Sequence, residues 1–113
     1  MAINNVASLH EATGNFERSI PLFRELYEKA LAASASSREP RLDQYRQNYG
    51  RSLMLGGYLA QAQPLLWTPI AATSDPQANA VERGRRLLHI GEWLRRSGRF
   101  DEVAAYLAQA DEV

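Results

Sequence analysis

The sequence predicts an all-α chain of three helical hairpins, and three observations carry that prediction. A pattern of small, bulky and glycine residues recurs three times, prolines hold equivalent places in two of the copies, and no strand signal competes. In the first copy Ala7 is followed by His10, Gly14, Phe16 and Ser19; in the second Gly50 is followed by Leu53, Gly57, Leu59 and Ala62; in the third Gly91 is followed by Leu94, Gly98, Phe100 and Val103. A bulky residue precedes each small one (Val6, Tyr49, Ile90), and an apolar residue closes each unit (Phe23, Leu66, Leu107).

Each unit has the physics of a helix-turn-helix. Bulky residues spaced around a small one place an apolar stripe on the first helix, helix A, and the small residue lets a second helix come close. Glycine then ends helix A, because it adopts the left-handed conformation found just past a helix C-terminus. The first helix A is expected over 3–13 and its helix B over 17–35. After a loop at 36–39, the second pair is expected over 40–55 and 59–72. Pro69 should shorten or kink that last helix, since an interior proline removes a hydrogen bond and clashes with the preceding turn. Thr73-Ser74-Asp75-Pro76 reads as an N-cap followed by proline at the first helical position, opening a helix to about residue 97. The last helix B runs from Phe100 to the end. Pro21 and Pro64 lie 43 residues apart, the same spacing as Gly14 and Gly57, which fixes the turn at Gly57 rather than Gly56. Both prolines are expected to fall in a first helical turn, where N–H groups have no intrahelical acceptor.

In these residues the chain resembles the tetratricopeptide repeat family, in its long, kinesin-light-chain-like form. Ile3-Asn4-Asn5-Val6-Ala7, Gly14-Asn15-Phe16 and Pro21-Leu22-Phe23 carry the likeness, and the turn glycines are 43 and 41 residues apart. That exceeds the usual repeat of ~34 residues and is close to the about 42 of the long form. Arg46, His10, Ser19 and Val103 depart from the family pattern. The resemblance implies a right-handed superhelix with repeats at about 1–38, 39–75 and 76–113 in a single domain, 1–113. An end without a solvating cap suggests a piece of a longer array, or an end buried against another copy.

The resemblance also implies function: helix A of every repeat lines a concave groove that takes a peptide. By position the groove would present Asn4, Asn5, Ser8 and Glu11, then Gln47, Asn48, Arg51 and Met54, then Arg85, His89, Glu92, Arg95 and Arg96. Side-chain amides suit such a groove because they both donate to and accept from a peptide backbone. Six arginines fall between Arg83 and Arg99, where Glu92 is the only acid, so an acidic peptide is the expected ligand. The competing reading is a self-paired surface: Glu82 stands three and four residues before Arg85 and Arg86, and Glu92 likewise before Arg95 and Arg96. A second functional expectation is a structural or oligomerisation segment of a larger regulator, such as a kinase or transcription regulator. It would associate through uncapped ends that include Val103, Tyr106 and Leu107.

The chain has 113 residues, with 13 Lys plus Arg against 13 Asp plus Glu, 45% apolar residues and no cysteine. Zero net charge supplies no whole-molecule field for nucleic acid, and base-stacking aromatics are not interleaved with the arginines. Without cysteine there is neither a disulfide framework nor a thiolate metal site. His89 with Glu92 lacks a third ligand, His10 lies in an apolar stripe and reads as a packed core residue, and no serine sits in a nucleophile elbow. The expectation is a soluble, cytoplasmic, non-catalytic interaction scaffold with no metal or cofactor. No secretory signal and no membrane span is legible.

Overall fold

In a computed structural model, described for residues 2–35, 41–69, 75–99 and 102, five helices follow one another: α1 (Ala2–Ala12), α2 (Phe16–Ser34), α3 (Leu42–Leu55), α4 (Leu59–Trp67) and α5 (Pro76–Arg96). The described residues contain no strand. The helix expected from Phe100 onward, and with it Val103, Tyr106 and Leu107, lies outside the described residues except for Glu102. The chain divides into two compact units, Met1–Leu65 and Leu66–Val113. Their boundary falls inside α4.

Three turns share one geometry. Gly14, Gly57 and Gly98 have φ of 78°, 94° and 84°. At each, the glycine N–H donates three residues back, to Glu11, Met54 and Arg95, while the next N–H donates five residues back, to His10, Leu53 and Leu94. This double closure of a helix C-terminus is the Schellman motif, and a left-handed residue is what makes it possible. Gly57 therefore holds the turn. Gly56 has a different duty: a Cβ there would lie 3.1 Å from Ile20 Cδ1 and 3.2 Å from Phe16 Cβ, so it permits a close approach between α2 and the end of α3.

In the first unit α1 packs on α2 and α2 on α3. Ser19, Phe23, Leu26 and Ala30 are the buried residues of α2, spaced by four, three and four so that they form one stripe. With Ala7 and Tyr45, the apolar ones form a core flanked by Leu22, Tyr27, Leu42 and Tyr49. Arg46 is accommodated beside it by an ion pair of 2.6 Å with Asp43, and its guanidinium lies 5.7 Å from the centre of the Tyr27 ring.

The two prolines are not where the sequence reading put them. α2 begins at Phe16 and α4 at Leu59, so Pro21 and Pro64 each occupy the sixth helical position, inside the helix. Their missing N–H groups leave the carbonyls of Glu17 and Ala60 without the usual donor four residues on. In α2 the helix persists because the burial of Phe23 and Leu26, about 1.5–3 kcal/mol each, outweighs one lost bond. Pro69 acts as expected: α4 stops at Trp67, because the residue before a proline is driven out of the helical region.

In the second unit Asp75 caps α5, its carboxylate accepting the Gln77 N–H at 3.0 Å, with Pro76 at the first helical position. Leu87, Ile90, Trp93 and Leu94 are buried. Trp93 meets Trp67 edge-on, with centroids 5.1 Å apart and planes at 80°. Arg86 donates to the carbonyls of Trp67 and Thr68, the latter at 3.1 Å, thereby satisfying the end of α4 with a cation where the helix dipole favours one.

Candidate functional site

The residues expected to line an A-helix groove divide into three groups. Asn5 and Ser8 are exposed on α1; Asn4 lies on the same helix, its side chain outside the described residues. Gln47, Asn48 and Met54 are only 1%, 7% and 2% exposed, so these three serve the interior of α3 and do not present themselves to a ligand. The charged members are engaged within the chain. Arg51 binds Glu11 through two bonds, Nη2 to Oε2 at 2.9 Å and Nε to Oε1 at 3.1 Å, and its guanidinium carbon lies 5.8 Å from the centre of the Phe23 ring.

On α5, Arg85 pairs with Glu82 at 3.2 Å, and Glu92 takes both Arg95 and Arg96, the latter at 2.7 Å. The Arg95 guanidinium that donates to Glu92 holds its carboxyl below the ordinary carboxylate range, and Arg96 acts in the same sense. His89 is half-buried on this helix. Three arginines of the expected groove, Arg85, Arg95 and Arg96, are thus paired with acids of their own helix, and an acidic ligand at those positions would have to displace them.

His10 is only half-buried, and its Nδ1 faces the Asn15 amide at 3.4 Å; the apolar stripe does not enclose it as expected. Ser19, the departure from the usual alanine, is fully buried and shares a hydrogen bond of 2.8 Å with Ser52 of α3. Among the described residues, no three His, Cys, Asp or Glu side chains come together as a metal site. No described helix is long and apolar enough to cross a membrane.

Sequence reasoning missed one feature of the first unit, an open concavity of about 580 Å³ where the Gly14 turn and the start of α2 meet the end of α3 and the start of α4. Phe16, Ile20, Pro21, Leu53 and Tyr58 give it apolar walls, and Asn15, Glu17, Arg24 and Gln61 add polar groups. On α2 the positions 17, 20, 21 and 24 form a stripe separate from the core stripe. The Gly56-Gly57 pair was the available signal, since one turn needs only one left-handed glycine.

Comparison with known proteins adds no relative: no family model, no curated protein and no solved structure matches this chain. What stands is the class defined by its own residues, an all-helical protein with a glycine-closed turn repeated at 43- and 41-residue intervals.

Proposed function

We propose that the chain is a non-catalytic protein-interaction module of tetratricopeptide-like hairpins, binding a peptide segment against its A helices. The observation that carries this reading is the threefold repetition of one turn geometry at Gly14, Gly57 and Gly98. Repeated hairpins stack into extended surfaces that suit binding better than chemistry. On α1 and α3, Asn5, Ser8 and the Glu11–Arg51 pair would form the accessible part of the groove. The test is selection of a displayed random-peptide library on the purified chain, followed by measured affinity of an enriched peptide for the chain and for its N5A/S8A and R51A variants. A loss of affinity in those variants supports the groove; unchanged affinity removes it.

A second reading, association through an end face, is favoured by Val6 and Leu9, which are 44% and 67% exposed three residues apart on α1. Exposed apolar side chains on one helix face are where such association would begin. Sedimentation of the chain and of its V6E/L9E variant tests this. A dimer that dissociates in the variant supports it, and a monomer at high concentration overturns it.

A further inference from the structure

The concavity beside the Gly14 turn combines an accessible apolar surface with an unengaged cation. Arg24 is the one cationic residue that lines it. Among the described residues no ion pair or hydrogen bond engages that guanidinium, whereas Arg51, Arg85, Arg95 and Arg96 are all held by carboxylates. Glu17 lines the same space, but it stands in the first turn of α2, where the helix dipole offsets its charge.

We propose that this concavity is a docking site for an extended segment of a protein partner that carries a large apolar side chain and, two residues away, a carboxylate. The apolar side chain packs against Phe16, Ile20 and Tyr58. Ile20 and Arg24 are four positions apart on α2, about 6 Å along its axis, which an extended peptide covers in about two residues. The carboxylate then meets Arg24, and a main-chain N–H of the segment has the Gln61 side-chain amide as an acceptor. This site is separate from the A-helix groove and stands or falls without it.

The test titrates the isotopically labelled full chain with two capped synthetic peptides, Gly-Phe-Gly-Glu-Gly and Gly-Phe-Gly-Lys-Gly, and follows amide resonances by NMR. The glutamate peptide should shift the amides of Ile20, Arg24, Gly56 and Gln61, and the lysine peptide should bind about threefold or more weakly. R24E should reverse that order and R24Q should abolish it; both change an exposed residue, and the unshifted remainder of each spectrum reports an intact fold. Shifts confined to Asn5, Ser8 and Arg51 would assign the peptide to the groove and overturn this site. Equal response to both peptides, no response at millimolar concentration, or the same amides moving with protein concentration alone, which would signal a second copy as occupant, would each overturn it as well.

Discussion

Ser19 and Ser52 are 33 positions apart in the chain and share a buried hydrogen bond; Glu11 and Arg51 are 40 apart and share an ion pair. On α5, by contrast, Glu92 reaches Arg95 and Arg96 only three and four positions away, and Glu82 reaches Arg85 three away. The first unit ties its helices together through these two pairs, beside local ones at Lys29–Glu25 and Arg46–Asp43, whereas the ion pairs of α5 all run along the helix itself. Arg86, which bonds to carbonyls 18 and 19 positions back, instead reaches off the helix. The difference matters because an intrahelical pair forms as soon as the helix does and favours no tertiary arrangement. An interhelical pair must offset the entropy of ordering two helices, and it therefore specifies how they meet.

The largest break in this comparison should come from Phe23, which is 1% exposed and lies beneath Arg51. Phe23→Ala should cost about 3–5 kcal/mol of unfolding free energy, since it opens a core cavity and removes the surface on which Arg51 rests. Urea denaturation measures it. A loss under about 1 kcal/mol would show that the α2 stripe is not the core of the first unit.

The serine pair comes next. Ser19→Ala leaves the Ser52 hydroxyl buried without a partner and should cost about 1–3 kcal/mol, while S19A/S52A together should cost less than the sum of the single changes. Additive costs in the double-mutant cycle would deny that the two hydroxyls act on each other.

Local features were legible in the sequence to the extent that they depend on near neighbours. Gly14, Gly57 and Gly98 announced their turns because a left-handed backbone demands glycine, and Asp75-Pro76 announced a helix start because the cap and the proline need only the next few residues. The pairs on α5 were readable from spacing for the same reason. Hidden were the facts that depend on which helix faces which: the burial of Gln47 and Asn48, the partner of Ser19, the capture of Arg51 by Glu11. The concavity beside Arg24 was hidden too, because it is built from two stretches of chain, 14–24 and 53–61, that are distant in sequence. The error at Pro21 and Pro64 was one of phase: helices that start at Phe16 and Leu59 put both residues beyond the first turn.

Coupling across Glu11–Arg51 should exceed that within α5. Both side chains are less than a third exposed, with two hydrogen bonds and an aromatic ring beneath the guanidinium. A cycle of E11Q and R51Q should give about 1 kcal/mol, against about 0.3–0.5 kcal/mol for E92Q with R96Q. Equal values would mean that the interhelical pair does no more than an ordinary surface pair.

The smallest effect is a pH dependence set by Glu92. Its folded carboxyl is held below the ordinary range by Arg95 and Arg96, so its contribution is complete above the unfolded value of about 4.3 and is lost as pH falls through the lower folded value. E92Q lacks the charge at every pH. The stability gap between the native chain and E92Q, read from urea midpoints, should therefore be present at neutral pH and close as the pH falls through the lowered folded pKa, where a protonated Glu92 resembles glutamine. Because salt screens exposed pairs, the neutral-pH gap should also narrow in molar salt, whereas the gap between S19A and the native chain should not. If both gaps respond to salt alike, the division between a helix paired with itself and helices tied to each other fails.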